Sequence, residues 1–199
     1  GRFRGIASAT GSAGTIASGD YMKKLFPDSK IVASEALQCP TLLENGFGAH
    51  RIEGIGDKHV PWVHNVKNTD VVTAIDDNAV VNLARLFNEE SGRQYLVEQG
   101  VPESLVSSLD LLGFSGISNV LSCIKTAKYY EMDENDVMIT ILTDSMELYR
   151  SRMHEMHQEF GEYTERAAAA NFARYLQGES TDNMLELRYP DTRRRQNKK

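Results

Sequence analysis

Apolar and polar positions along the chain follow two alternating patterns. Four short apolar runs, at residues 6–9, 30–35, 70–75 and 136–142, have the length and composition of buried strands. Between them, apolar residues recur every three or four positions, which is the spacing of one helix face. Strands that alternate with helices are typical of a parallel sheet with right-handed crossovers. The pattern predicts an α/β fold, a doubly wound, mostly parallel sheet with flanking helices.

Three helices are predicted before the last third of the chain. The first covers residues 15–26, the second begins after Asp76 or Asp77 as its N-cap and runs to about residue 91, and the third ends near residue 130. The inward face predicted for the first helix consists of Ile16, Tyr21, Met22 and Leu25. The face predicted for the second consists of Val80, Val81, Leu83, Ala84 and Phe87.

The last third of the chain has a different pattern. Met153, Met156, Phe160, Tyr163, Ala167 and Ala170 follow a 3-4-3-4 spacing, which predicts one amphipathic helix over residues 153–178 that packs on the body or on a partner. Residues 179–199 are predicted to form a flexible, solvated tail. The predicted organisation is therefore an α/β domain at 1–152, a C-terminal helix and a tail.

Composition and charge narrow the function classes. The net charge is −6, although residues 188–199 hold six basic residues and only one acidic residue. Without interleaved aromatic residues this basic tail does not predict nucleic-acid binding. Cys39 and Cys123 are predicted to be buried, reduced thiols, and His154 and His157 to be surface residues, so no metal site is predicted. No apolar run is long enough to cross a membrane, and we expect a cytoplasmic protein.

A glycine turn follows the first predicted strand. Gly11 and Gly14 permit a positive φ and close backbone approach, and the following helix would offer unpaired N–H groups to an anion. The alternative is a strand-to-helix turn without a ligand. A second glycine turn, Gly113-Phe114-Ser115-Gly116, and the segment 143–145, which can cap a following helix, also lie beside strands or helix starts. All three segments could meet at the carboxyl edge of a parallel sheet.

One interpretation of this turn is a dinucleotide site in an oxidoreductase. Glu35 follows Gly14 at about the distance expected of an acid that binds a ribose hydroxyl. However, the turn lacks the G-x-G pair of the fingerprint.

A second interpretation comes from resemblance to a known family. Four segments occur in order: Gly11-Ser12-Ala13-Gly14-Thr15, Glu53-Gly54-Ile55-Gly56 with Pro61 five residues on, Gly113-Phe114-Ser115-Gly116, and Asp144-Ser145 with Tyr149. Between about residues 5 and 153 the chain resembles the carboxyl-terminal part of the catalytic core of cystathionine β-synthase and cysteine synthase, pyridoxal-phosphate enzymes of fold type II.

The resemblance implies roles for particular residues. Gly11, Ser12, Ala13, Gly14 and Thr15 would bind the cofactor phosphate, with Ala13 in place of a usual glycine, which is tolerable if its φ is negative. Ser115 would hydrogen-bond the pyridine nitrogen, although the register of this motif could also select Ser118. Asp144 and Ser145 would lie beside the ring, or else cap a helix. Glu53, Gly54, Ile55 and Gly56 would form a loop beside the substrate, but Asp57, Lys58 and His59 replace the family's aromatic continuation.

The resemblance also implies what residues 1–199 lack. In the family the Schiff-base lysine precedes the glycine turn, and no lysine here has its sequence context; Lys23, Lys24, Lys125 and Lys128 are predicted to be solvated helix residues. We therefore expect no catalytic residue in this chain, a missing N-terminal half of the core, a homodimer and a small amino-acid substrate. The alternatives are a non-catalytic phosphate-binding domain, or a partner subunit that uses the 153–176 helix as its interface.

Overall fold

The computed structural model describes residues 1–196, and five strands in this range form one sheet. The strands are β1 (Arg2–Ala9), β2 (Lys30–Ala36), β3 (Val71–Ile75), β4 (Asp136–Thr140) and β5 (Met184–Glu186). Their order is β4-β1-β2-β3-β5; β5 is antiparallel to β3 and the other pairs are parallel. The predicted doubly wound, mostly parallel α/β fold is confirmed.

Eight α-helices accompany the sheet within the described residues. They are α1 (Ser18–Leu25), α2 (Asp77–Asn88), α3 (Glu90–Glu98), α4 (Glu103–Val106), α5 (Phe114–Tyr129), α6 (Arg150–Phe160), α7 (Glu165–Asn171) and α8 (Tyr189–Gln196). Asp76 caps α2 by accepting the Asn78 N–H at 3.0 Å, and the predicted inward face of α2 is entirely buried. Helix α2 ends at Asn88 because Glu89 is extended, with φ −80° and ψ 144°.

Both faces of the sheet are covered. Ile6 and Ala7 are neighbours in β1 but belong to different apolar clusters, because successive strand residues point to opposite faces. Helix α5 contacts β1 to β4 on one face. There Ser122 Oγ donates to Ser34 Oγ at 2.7 Å and accepts a hydrogen bond from Thr73 Oγ1 at 2.9 Å. Buried hydroxyls that bond one another let a polar helix face pack on the sheet without unsatisfied groups.

The predicted inward face of the first helix is partly wrong. Tyr21 and Leu25 are 63% and 56% exposed, whereas Ile16 is buried. Helix α1 approaches the sheet through Gly19, where a Cβ would lie 2.9 Å from Ile31 and 3.0 Å from Ile6. This close approach fixes the rotation of α1 and turns Tyr21 and Leu25 outward.

The single C-terminal helix predicted for 153–178 is also wrong. Gly161 has φ +73° and ends α6, and Thr164 caps the separate helix α7, which continues as a π-helix over Phe172–Gln177. Met156, Tyr163 and Ala168 are buried in the main apolar cluster. Of the predicted stripe, Met153 and Ala167 also pack against this cluster, whereas Phe160 and Ala170 are exposed. Most of the stripe therefore packs on the body of the protein, which argues against the interpretation of this segment as a free interface for a partner subunit.

The tail predicted for 179–199 is largely ordered, since β5 and α8 lie within it. Arg195 is 4% exposed and donates from Nε to the Leu42 carbonyl at 2.6 Å and from Nη2 to the Leu43 carbonyl at 3.1 Å. These carbonyls hold α8 against the body and contradict a flexible tail over this part. The remaining residues of the predicted tail, 197–199, lie outside the described part of the chain.

The two cysteines are free thiols, as predicted; Cys39 is buried as expected, whereas Cys123 is only partly buried. No helix within residues 1–196 combines the length and hydropathy needed to span a membrane. His154 and His157 are exposed on α6.

Candidate functional site

The main candidate site is a cavity at the carboxyl edge of the sheet. The chain runs from β1 to β2 and β3 on one side of β1 and returns to β4 on the other side, so the strand order reverses at β1. In open α/β sheets ligands bind at such a switch point. The cavity has a volume of about 440 Å³, within the range of small-molecule sites. It is lined by Ser8, Ala9, Gly11, Ser12, Ala13, Gly14, Thr15, Gly54, Ile55, Ser115, Asn119, Ile141, Thr143 and Asp144.

The glycine turn, residues 11–15, forms one wall of this cavity. No backbone N–H from residue 11 to residue 17 donates a hydrogen bond to any other residue of the described range 1–196. Beside it, the Ser8 and Thr15 hydroxyl oxygens are 2.6 Å apart. A row of unpaired N–H groups before the N-terminus of α1 is the arrangement that binds a phosphate.

The expected backbone conformation of the turn needs correction. Neither Gly11 nor Gly14 has a positive φ; instead Ala13 does, at +63°. The left-handed conformation costs an L-residue about 1–2 kcal/mol. The Ala13 methyl is buried in the cluster with Ile16 and Ile31, which returns about 0.8 kcal/mol. The resemblance made Ala13 tolerable at a negative φ, but its φ is positive. Packing of the methyl offsets much of the resulting strain.

The second wall is the first turn of α5. Gly113 is the N-cap, so Phe114, Ser115 and Gly116 belong to the helix itself rather than to a separate turn before it. The Ser115 and Thr143 hydroxyl oxygens are 3.1 Å apart, which joins the start of α5 to the segment after β4. Ser115 lines the cavity, whereas Ser118 lies deeper and contacts Ser34. The structure thus places Ser115, of the two serines considered, at the site.

Asn119 lies one turn after Ser115 and was not predicted as a site residue. Its Nδ2 donates to the Ile141 carbonyl at 2.9 Å, while its Oδ1 is buried and accepts no hydrogen bond from the described residues. A buried acceptor without a partner is costly, so this oxygen is suited to a ligand donor. Its i, i+4 spacing from Ser115 was the available signal. Ser8 was not predicted as a cavity residue either, whereas Thr143 belongs to the segment 143–145 that was expected at this edge of the sheet.

Asp144 is part of the cavity, but Ser145 is not. The Asp144 backbone carbonyl accepts the Gly113 N–H at 3.1 Å, and its Oδ2 accepts the Tyr149 hydroxyl at 2.5 Å. Burial is the main reason that the pKa of Tyr149 lies well above its usual value, and the hydrogen bond to Asp144 and the negative charge of Asp144 raise this pKa further. Ser145 precedes the short helical turn Met146–Tyr149, but its side chain makes no capping hydrogen bond. The Asp144 carboxylate bonds the Tyr149 hydroxyl instead, so the capping role predicted for this segment is wrong.

The substrate loop, residues 53–56, divides between two surroundings. Gly54 and Ile55 line the cavity, while Gly56 donates its N–H to the Thr10 carbonyl at 2.8 Å. The Glu53 carboxylate turns away from the cavity and binds Arg152 of α6. Only the middle of the predicted loop is therefore placed to contact a ligand in this cavity.

The dinucleotide interpretation requires Glu35 to reach the cavity beside the glycine turn, but Glu35 does not line that cavity. It is 2% exposed, and its carboxylate accepts the Leu42 N–H at 2.9 Å and the Leu43 N–H at 2.8 Å. These bonds fix the chain after β2, so Glu35 has a structural role.

No lysine within residues 1–196 lines the cavity. Lys125, predicted to be solvated, is instead 5% exposed, and its Nζ lies 2.7 Å from Glu179. Lys23 is partly buried and bonds Asp70, whereas Lys58 lies over the ring of Phe47. Ion pairing and backbone carbonyls explain why Lys125 can be buried at all.

The residues present fit a small phosphate-bearing cofactor such as pyridoxal phosphate. The glycine turn offers unpaired N–H groups, Ser115 offers a neutral hydroxyl, and Asn119 offers a buried acceptor. All three surround one cavity.

Comparison with known proteins gives a consistent picture. No protein-family model matches the chain. Cysteine synthase B of Campylobacter jejuni is 27% identical, in an alignment that covers 71% of this chain and 40% of that protein. Cystathionine β-synthase of Apis mellifera is 26% identical, in an alignment that covers 76% of this chain and 27% of that protein. The structure of O-acetyl serine sulfhydrylase isoform 3 from Entamoeba histolytica superposes with a TM-score of 0.63 at 25% identity, over 85% of this chain and 45% of that one. The chain spans less than half the length of these relatives. It is similar, as the ordered motifs predicted, to the carboxyl-terminal part of cysteine synthases and cystathionine β-synthases.

Proposed function

We propose that this chain forms the carboxyl-terminal portion of the catalytic core of a pyridoxal-phosphate enzyme. The complete core would catalyse β-elimination or β-replacement on a small serine-, cysteine- or homocysteine-like amino acid. The observation that most directly supports this proposal is the glycine turn with its unpaired N–H groups. This turn lines the same switch-point cavity as Ser115 and Asn119.

Each wall of the cavity has a role in this proposal. The glycine turn binds the phosphate through backbone N–H groups and the Ser12 and Thr15 hydroxyls. Ser115 donates to the pyridine nitrogen and accepts from Thr143, which leaves the nitrogen largely unprotonated because its partner is neutral. Asn119 Oδ1 accepts a hydrogen bond from the ligand. Bound pyridoxal phosphate supplies an electron-withdrawing ring that stabilises negative charge on the substrate.

Calorimetric titration of the 199-residue chain tests the binding role. We expect pyridoxal phosphate to bind more tightly than pyridoxal, which lacks the phosphate. Thr15→Val should weaken binding about 10- to 100-fold, the size of one hydrogen bond to a charged group. Thr192→Val is the matched control, because Thr192 does not line the cavity and, within residues 1–196, its hydroxyl bonds only the Arg188 carbonyl just before α8. Equal binding of pyridoxal and pyridoxal phosphate would contradict the proposal, and tighter binding of NAD would select the dinucleotide interpretation instead.

The proposal also states that the Schiff-base lysine lies outside residues 1–199 and that this chain alone is catalytically incompetent. The absence of lysine from the cavity wall within residues 1–196 supports this. Borohydride reduction of the chain with pyridoxal phosphate should label no single lysine, and O-acetylserine should not be consumed. Specific labelling of one lysine with turnover would overturn it.

The homodimer implied by the resemblance is part of the same proposal. Light scattering on the chain joined to the upstream core should give twice the mass of one chain. A monomer would contradict it.

A further inference from the structure

Two ion pairs of opposite orientation connect the substrate loop region to α6. Arg152 of α6 donates from Nε to Glu53 Oε1 at 2.7 Å, and its Nη2 lies 2.6 Å from the same oxygen. In the second pair, Arg51 lies on the loop side and Glu159 lies on α6. The order of charges is reversed between the two pairs, so sliding α6 along the loop would bring like charges together. The two pairs therefore specify one register.

The other side of the loop lies on the glycine turn. Gly56 donates to the Thr10 carbonyl at 2.8 Å, and a Cβ on Gly11 would lie 3.8 Å from the Gly54 carbonyl oxygen. A cavity of about 140 Å³ lies between the loop region and α6, and Glu53 and Arg152 are among the residues that line it. The loop is thus held between the turn and α6, with space into which it can move if the ion pairs are lost.

We propose that Arg152 is a positioning residue that acts through Glu53. It holds the substrate loop against the glycine turn, so that Gly54 and Ile55 form the wall of the ligand cavity. This assigns a role to α6, a segment to which the proposed function gives none. The consequence for ligand binding rests on the proposed function, whereas the effect on the loop does not.

The size of the effect follows from exposure. The side chains of Arg152 and Glu53 are 49% and 36% exposed. A partly exposed pair of this kind changes a local equilibrium by about two- to five-fold, and salt screens it. The Gly56 N–H is the natural reporter, because its hydrogen bond to Thr10 opens when the loop leaves the turn.

Hydrogen exchange of the Gly56 amide, followed by NMR in the ligand-free chain, tests this role. Arg152→Gln and Glu53→Gln should each speed exchange about two- to five-fold at low salt. Arg152→Gln also releases Glu155, which lies 2.6 Å from Arg152 on the same helix. The double variant should therefore exchange no faster than Arg152→Gln, because the Arg152–Glu53 pair is already lost in that variant. Arg152→Lys, which keeps the charge, should restore part of the protection. The Thr10 amide, bonded to the Ser34 carbonyl at 2.8 Å, should not change.

Arg150→Gln is the matched control, because Arg150 is on the same helix, has an 81% exposed side chain and, among the residues that the structure describes, pairs only with Glu147. Unchanged Gly56 exchange in Arg152→Gln, equal acceleration in Arg150→Gln, or additive effects in the double variant would each overturn the positioning role. Pyridoxal phosphate affinity should fall only as far as the closed fraction of the loop falls, and therefore by no more than the factor measured in exchange. If Gly56 responds as expected but the wild-type chain binds no pyridoxal phosphate, the proposed function fails while the positioning role stands.

Discussion

Replacing Gly14 by alanine should stabilise the fold and weaken ligand binding at the same time. A Cβ at Gly14 would meet only Ser12 Oγ, at 3.8 Å, and the backbone there is outside the left-handed region. No contact within residues 1–196 therefore requires glycine at this position. Alanine restricts the unfolded chain, which should raise the free energy of unfolding by about 0.4–1 kcal/mol. The new methyl would instead stand where a bound phosphate approaches the turn.

The expected loss of affinity is that of one hydrogen bond to a charged group, about 1.5–3 kcal/mol, or about 10- to 100-fold. Urea unfolding and calorimetric titration with pyridoxal phosphate measure the two effects separately. The control is Gly100→Ala, because Gly100 also has open space around it but a φ of +88°. That variant should lose about 1 kcal/mol of stability and keep its affinity. Unfolding of Gly14→Ala at lower urea than wild type, or unchanged affinity, would refute the reasoning.

Three further predictions concern buried groups. Gly113→Ala should lower the free energy of unfolding in urea by about 2 kcal/mol, since its Cβ would lie 2.0 Å from Asp144 Oδ1. Asp144→Ala in the same chain should recover part of this stability, and additive losses would contradict the predicted clash. Lys125→Met should lower the free energy of unfolding by about 3–5 kcal/mol, because it leaves the Glu179 carboxylate buried and unpaired. In thermal unfolding, the double variant with Glu179→Leu should regain most of this loss. No recovery in the double variant would count against the pair. Burial raises the pKa of Cys123 to about 12 from 9.0, so at pH 8 the folded chain should contain about a thousand-fold less thiolate than the chain unfolded in urea. Iodoacetamide should therefore alkylate the folded chain far more slowly, and equal alkylation rates would exclude this shift.

The parts of the fold that could be predicted depend on local patterns. The four predicted strands and the buried face of α2 are strong periodic signals, and Asp76 sits where an N-cap must be. The ligand cavity was predictable in outline because parallel strands place their carboxyl ends at one edge. Ser115 was identified by resemblance, and the structure places it in that cavity.

The errors involve contacts between distant segments. Ala13 has a positive φ, and its methyl is buried in an apolar cluster that includes residues of β1 and β2, which no local pattern encodes. Lys125 is buried because residues 179–182 supply a carboxylate and carbonyls more than fifty residues away. Glu35 has the spacing of a ribose-binding acid, yet it accepts backbone N–H groups that follow β2. Spacing gave the position of this carboxylate but not its orientation.

The hydrogen bonds of Arg195 also bear on how the chain reaches its native state. They join residues 152 and 153 positions apart, between α8 and the backbone just after β2. During synthesis, Leu42 and Leu43 leave the ribosome long before their guanidinium partner, and their carbonyls must stay hydrated until α8 arrives. Contacts of such long sequence separation form late because closing the intervening loop costs entropy. The N–H groups of Leu42 and Leu43 can bond the nearby Glu35 early, but their carbonyls should be among the last groups of the sheet region to become protected, because they wait for α8.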